Sequence, residues 1–345
     1  MIDFRYHLVS TVAIFLALTV GIVLGTTMLQ DPLLHTLKAE TSQLREQSER
    51  LRTDKDRADR LNAGNAELVA AYAEAMLDRR LTGVRVVVVE PPGVDAASRE
   101  EIAELVRGAG GTVTGRLVLT DSYLDPGESD AVEEIADRWS EEGDEAEGNP
   151  YERAGAGIAR AVLAGGEDTE GARRGDGFDP RALIDEYVEA GLLAVHGEPA
   201  SGADTALLLA PAEPFALSDG REDSDATPPA NAMVLALARA LERAGGGTVL
   251  AGAPNADGPT GVIRQARAEE ARFTTVDTAG TPAGDVVTVL ALALADEGRN
   301  GHYGIGAGVE GFLPASLPTP RPDPTPEPSV GGVSTDDVSS TGNES

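Results

Sequence analysis

An unbroken apolar stretch lies near the N-terminus of the chain. Residues 8–29, 22 in all, carry no charged side chain, and a helix of that length, rising about 1.5 Å per residue, spans the roughly 30 Å hydrocarbon core of a bilayer. A cleaved signal peptide would have an apolar core of about 7 to 15 residues followed by an A-x-A-like site. This stretch is longer and lacks that ending, so we predict a transmembrane signal anchor over residues 1–30.

The pattern changes at Pro32, where charged residues appear between leucines at helical spacing. Leu37, Leu44 and Leu51 repeat every seven residues, which is typical of one core position of a coiled coil. The intervening positions of the same seam are polar: Glu40, Gln47 and Asp54. We expect a coiled-coil helix over residues 31–80 that forms a homo-oligomer when the anchor concentrates the chains. A single solvated helix packed on the main domain is the alternative.

Two glycines inside the apolar stretch also favour self-association of the chain. Gly21 and Gly25 form a G-x-x-x-G pair. Because glycine has no side chain, such a pair lets two membrane helices approach closely. We therefore predict Gly21 and Gly25, together with the three heptad leucines, as oligomerisation residues.

Beyond Thr82, apolar runs alternate with amphipathic segments. Residues 84–89 form a β-branched run that ends at two prolines and a glycine, as expected of a buried strand stopped by a turn. Further strands are predicted at 113–119, 205–210, 248–251 and 273–276, and helices at 98–107, 151–164, 180–191, 230–243, 261–271 and 282–295. This alternation predicts an α/β fold: a mostly parallel sheet domain over residues 82–312. A disordered, Pro-rich acidic tail is expected over 313–345.

Charge and composition exclude several classes of function. The chain carries 28 basic and 58 acidic residues, for a net charge of −30, which repels phosphate backbones and anionic membrane surfaces. Nucleic acid is therefore not an expected partner. The absence of cysteine excludes disulfides, zinc ribbons, iron–sulfur clusters and cysteine nucleophiles. Lys38 and Lys55 are the only lysines, so the α/β region cannot supply a Walker A lysine or a pyridoxal Schiff base.

No familiar catalytic motif stands in the sequence, and we predict no enzymatic activity and no resident cofactor. Gly306, Gly308 and Gly311 fit G-x-G-x-x-G, but they follow the last predicted helix instead of joining a first strand to a helix. A flexible exit from the domain is the better interpretation. His302, between glycines and beside Tyr303, is the one candidate metal ligand. A histidine that caps or packs against the last helix is the alternative.

Two segments of the chain resemble a known family. They are FRYHLVS with FLAL, Gly21 and Gly25 near the start, and residues 274–308 with TTVDTAGTPAG, VVTVLALA and GHYGIGAG. Together they resemble the actinobacterial MctB family, mycobacterial copper transport protein B, over roughly residues 1–308. The resemblance implies a pore-forming envelope protein of copper efflux, with copper as the transported ion. Relatives are also described as cell-separation factors that act with a membrane partner near the septum. Where the family pattern allows a second histidine, this chain has Ala307.

Resemblance and architecture together predict a membrane-anchored envelope protein of copper homeostasis, a copper efflux or transport channel component with its large domain outside the cytoplasm. One helix cannot enclose a pore, so a channel would need several copies of the chain. The alternative is a non-enzymatic coiled-coil scaffold that regulates cell-wall remodelling and cell separation with a membrane or cell-wall division partner.

Overall fold

The computed structural model describes residues 4–140, 148–163, 178–216 and 227–322. The chain divides into two units, the first ending at Glu67 and the second beginning at Leu68. Most of the stretch predicted to be a disordered tail, from residue 323 onward, lies outside the described residues.

One helix, α1 (Phe4–Leu77), spans most of both predicted N-terminal elements, and ends three residues before the predicted end of the coil at residue 80. The predicted boundary between anchor and coil at residue 30 is not a break in the backbone, because the helix continues through Pro32. Its first part, Phe4–Gly25, has a mean hydropathy of 2.5 and is long and apolar enough to cross a membrane. Farther along, the heptad leucines are each more than half exposed, so the coiled coil stays a prediction.

The second unit is built on a sheet that has seven strands among the described residues. Their order is β3-β2-β1-β4-β5-β6-β7, and every neighbouring pair is parallel except β2 and β3. The mostly parallel α/β sheet predicted from the sequence is thereby confirmed. The strands are β1 (Arg85–Glu90), β2 (Thr112–Leu119), β3 (Leu193–Gly197), β4 (Thr205–Leu209), β5 (Gly247–Ala251), β6 (Thr274–Val276) and β7 (His302–Tyr303).

Helices cover both faces of this sheet because its central strands are apolar on both sides. Val86 and Val88 of β1 belong to the core under α2 and α8, whereas Val87 and Val89 belong to the core under α3 to α7. The helices are α2 (Ala96–Gly108), α3 (Ser129–Arg138), α4 (Pro150–Val162), α5 (Pro180–Glu189), α6 (Pro229–Arg243), α7 (Val262–Ala268) and α8 (Pro282–Asp296).

Polar caps fix where several of these helices begin. Asn149, Asp179 and Thr281 each accept hydrogen bonds from the first turn of α4, α5 and α8, and in each case a proline follows at the first helical position. The side chain satisfies a backbone N–H that has no partner within the helix, and proline needs none.

The crossover from β6 through α8 to β7 differs in hand from the other parallel crossovers. Helices α6 and α7 connect β4 to β5 and β5 to β6 on one face of the sheet, whereas α8 continues in the same direction on the opposite face. Helix α2 connects β1 to β2 in the reverse direction along the sheet and lies on that opposite face. Its crossover therefore has the same hand as the crossovers through α6 and α7. Strand twist makes about 98% of such crossovers right-handed. Other contacts must therefore hold β7 in place.

The chain beyond β7 returns to the residues that precede β1, at the amino ends of the strands. Residues 313–322, which the sequence assigns to the tail, run along the domain with Pro314 and Pro318 buried. The Arg321 N–H donates to the Arg79 carbonyl at 2.9 Å, and the Arg80 guanidinium donates to the Pro318 carbonyl. These residues are thus part of the folded second unit.

Candidate functional site

A crevice of about 800 Å³ opens above the carboxyl ends of β1, β2 and β4. In an open parallel sheet, ligands bind where neighbouring crossovers leave for opposite faces. Here that point lies between β1 and β4, because α2 and α6 cover opposite faces. We call this cavity the switch crevice; it is lined by the loops that follow β1, β2 and β4, at residues 92–93, 121–126 and 211–216.

The lining of the switch crevice is apolar and acidic. Leu124, Phe215 and four prolines form its apolar part, and its charged side chains, among the described lining residues, are all carboxylates: Asp121, Asp125 and Glu213. A dinucleotide site at this position would need a glycine-rich turn that brings backbone N–H groups to phosphate. The turn after β1 instead contains Pro91 and Pro92. This lining therefore does not suit a phosphate ligand.

Hydrogen bonds hold the crevice loops in place. The Ala212 N–H donates to the Gly93 carbonyl at 3.0 Å, which joins the loops after β4 and β1. The Asn255 amide donates to Glu213 Oε1 at 3.4 Å. Asp125 Oδ1 accepts from the Gly127 N–H at 2.8 Å. These hydrogen bonds restrict the conformations that the crevice loops can adopt.

A second cluster lies beyond β6, also at the carboxyl ends of the strands. There, two carboxylates bind a glycine-rich loop. We call residues 304–308 the glycine loop. Asp277 accepts the Ile305 and Gly306 N–H groups at 2.8 and 2.9 Å. Asp257 accepts the Ala307 N–H at 3.2 Å. Three successive N–H groups form a concavity that suits anionic oxygen, so the predicted flexible exit is wrong for this loop.

A buried arginine completes this cluster. Arg267 is 5% exposed, and its Nη1 lies 3.1 Å from Asp257 Oδ1 and 2.6 Å from Asp277 Oδ2. Its Nη2 donates to the Tyr303 carbonyl at 3.0 Å. One guanidinium therefore connects β6, the β5–β6 loop and β7. We call Asp257, Arg267 and Asp277 the buried triad.

His302 lies on β7 and contacts the same network. Its Nδ1 is 2.9 Å from Thr275 Oγ1, and that hydroxyl accepts a hydrogen bond from Arg267 Nε at 2.9 Å. The hydroxyl proton is then directed at Nδ1, which assigns the ring proton to Nε2. Burial, followed by the charge of Arg267, lowers the pKa of His302. The imidazole is therefore neutral at pH 7.

Asp285 is a further buried carboxyl, in the first turn of α8. Its Oδ1 accepts the Gly280 N–H at 2.8 Å, while Oδ2 has no hydrogen-bond partner among the described residues. Burial raises the pKa of Asp285 to about 7; the Gly280 N–H opposes this shift, and the charge of Glu101 adds to it. The carboxyl is thus partly protonated near neutral pH.

The structure does not bring the residues predicted from sequence into one site. His302 belongs to the second unit, and no group of three or more His, Asp or Glu side chains that could hold a metal ion occurs in the described part of the chain. The metal role of His302 stays a prediction, as does oligomerisation. The other predicted residues lie exposed along α1: Gly21, Gly25, Leu37, Leu44 and Leu51.

Sequence reasoning missed the buried triad. Carboxylates are so numerous in this chain that neither Asp257 nor Asp277 stands out, although Asp277 directly follows the strand predicted at 273–276. A second signal was available in Gly304 and Gly306. A Cβ at either position would overlap a triad carboxylate, so these glycines permit close contact.

Known proteins resemble this chain over the helices and strands described above. The family described as "Copper transport outer membrane protein, MctB" matches residues 1–314. The chain is 26% identical over 326 residues to proteins named "Copper transporter MctB" from Mycobacterium tuberculosis and Mycobacterium bovis, covering 89% of this chain and 98% of theirs. The Mycobacterium leprae protein of the same name is 26% identical over 330 residues, with the same coverage. Because the match includes α1, the whole sheet and the glycine loop, this chain belongs to the MctB family.

Proposed function

We propose that this protein is a membrane-anchored component of copper transport in the cell envelope and that it acts as an oligomer. The observation that carries this proposal is the family match over residues 1–314. The apolar part of α1, Phe4–Gly25, supports the membrane anchor. The large domain lies outside the cytoplasm in this proposal.

An oligomer is required because one apolar helix cannot surround a path for an ion. The exposed leucines of α1 offer a seam for other copies, and a Cβ built at Gly21 or Gly25 meets no atom within 4 Å. Close packing of several α1 helices is compatible with both features. The N-terminal helices of several copies would together line the channel.

Copper content tests the proposal directly. Under a moderate copper load, a strain lacking this protein is expected to hold several-fold more copper per cell than its parent, because efflux is impaired. Elemental analysis of washed cells measures this, and complementation with the full chain should restore the parental value. An unchanged copper content in the deletion strain would contradict the proposal.

The predicted copper contact of His302 has its own test. A direct metal role predicts that His302→Ala and His302→Asn both lose copper tolerance, since neither side chain replaces an imidazole ligand. A role in holding β7 predicts that His302→Asn restores tolerance, because its amide oxygen can accept from the Thr275 hydroxyl. The contacts of His302 favour the second result. His196→Ala, on the exposed end of β3, is the matched control in growth assays with graded copper.

A second function is favoured by one observation, the exposed leucine seam of α1. Leu37, Leu44 and Leu51 are 59%, 65% and 63% exposed, and such a seam also suits a scaffold that regulates cell-wall remodelling and cell separation. In that case the coil, and not copper movement, carries the function. A membrane or cell-wall division protein would be its partner.

Replacing the three heptad leucines by asparagine is expected to abolish self-association, because polar side chains remove the apolar seam. Light scattering of the full chain in detergent measures the mass. Ser42, Glu49 and Asp56 lie five residues after each leucine, on the opposite side of the helix, and the same replacement there is the control. If the leucine variant retains the parental mass, the seam does not mediate oligomerisation. Alternatively, the leucine variant has a lower mass, and cells that express it stay joined at normal copper content. In that case the scaffold function replaces the transport proposal.

A further inference from the structure

We propose that the switch crevice binds a short, extended, basic segment of a partner protein. This binding surface is separate from copper transport. The proposal rests on the shape, the lining and the charge of the cavity above β1, β2 and β4. It also rests on the charge of the tail and of a second copy of the chain, which could otherwise occupy the cavity.

The shape of the crevice suits an extended segment. The cavity measures about 800 Å³, at the upper end of the range of about 300–1,000 Å³ found for binding sites. Prolines contribute to three of its loops: Pro92, Pro126, Pro211 and Pro214. Their fixed φ angles and the bond between Ala212 and Gly93 leave little conformational freedom to lose on binding, which favours affinity.

The lining combines apolar contacts with unopposed negative charge. Leu124 and Phe215 offer apolar surface, while the exposed carboxylate of Asp121 has no cation beside it among the described lining residues. Glu213 accepts a hydrogen bond from a neutral amide only. An arginine or lysine next to an apolar residue would meet both kinds of surface, because Coulomb attraction adds to the burial of apolar area.

Charge also disfavours two occupants that this chain itself could supply. The last 23 residues, 323–345, contain five acidic and no basic side chains, and the whole chain carries −30. The tail and a second copy would both bring like charge to the crevice. A basic partner is the remaining occupant.

Peptide binding to the full chain in zwitterionic nanodiscs tests the proposal. The probe is a capped, fluorescein-labelled peptide with the repeat Arg-Pro-Leu, and fluorescence anisotropy gives its Kd. Asp121→Asn with Glu213→Gln is expected to weaken binding at least about tenfold, and Phe215→Ala by a similar factor through lost apolar contact. The Gln side chain keeps the oxygen that accepts from Asn255. A matched control, Glu104→Gln with Glu189→Gln, removes two exposed charges outside the crevice.

Each outcome decides the proposal. Binding that weakens in the crevice variants and not in the control supports it, provided that the repeat Glu-Pro-Leu does not bind. Equal weakening in the control pair would show general charge attraction, and no binding by the wild type would also overturn the proposal. Displacement of the peptide by an equal concentration of spermidine would show a small-cation site in place of a peptide groove.

Discussion

Replacing Arg267 by alanine is expected to destabilise the second unit by about 3–5 kcal/mol, because removing one partner of a buried ion pair leaves uncompensated charge. Asp257 and Asp277 are 8% and 0% exposed, so water cannot replace the guanidinium. Urea unfolding of the full chain in detergent measures the loss. Trp139, the single tryptophan, packs against the core of this unit and reports its unfolding by fluorescence.

Two controls distinguish the triad from ordinary surface charge and from glycine strain. Arg239→Ala removes an exposed ion pair with Glu269 and should cost less than about 1 kcal/mol. Gly298→Ala places a Cβ in open space at a φ of 73°, so it measures the backbone strain alone, about 1 kcal/mol. Gly306→Ala should cost more, because its Cβ would overlap the Asp257 carboxylate. If Arg267→Ala costs no more than Arg239→Ala, the triad does not stabilise the domain.

Asp285→Asn is expected to stabilise the protein increasingly as pH rises. The pKa of Asp285 is about 7 in the folded chain and 3.8 as a free side chain, so the folded state binds more protons between these values. Its contribution to stability is therefore full below about pH 4 and declines until about pH 7. At about 1.4 kcal/mol per pH unit, the advantage of the variant should grow by about 2–3 kcal/mol between pH 5 and pH 8.

Urea unfolding at both pH values, followed by Trp139 fluorescence, measures this difference. The asparagine oxygen can still accept the Gly280 N–H, so the variant changes charge and not the hydrogen bond. Glu104→Gln on the exposed side of α2 is the control for the removal of a surface carboxylate. An equal advantage for Asp285→Asn at pH 5 and pH 8 would contradict a raised pKa.

The α/β fold could be predicted from the sequence because its central strands are short apolar runs. Residues 84–89 correspond to β1, and the run at 248–251 corresponds to β5, each within a residue or two. Strand β7 has only two residues and no periodicity, so it could not be detected. Helix α3 was missed although Val132, Ile135 and Ala136 lie on one buried face. Its four acidic residues obscured that spacing.

The candidate sites were harder to predict because they depend on contacts between distant segments. The buried triad joins Asp257 and Asp277 to a loop about 30 to 50 residues later. The glycines that allow this contact look like a flexible linker when considered alone. The switch crevice requires knowledge of which helices follow β1 and β4 on which face, and local propensity does not contain this information.

The pairing of the last strand determines the order in which the domain can be completed. β7 pairs only with β6 among the strands, and the glycine loop binds carboxylates that belong to earlier segments. Residues 301–311 can therefore join the sheet only after β6 and α7 have formed, and until then Asp257 and Asp277 lack the N–H groups that satisfy them. A polypeptide emerging from the ribosome or crossing a membrane N-terminus first thus remains incomplete until nearly its whole length is released. A nascent chain ending before Gly301 should consequently be far more sensitive to proteolysis than the finished protein.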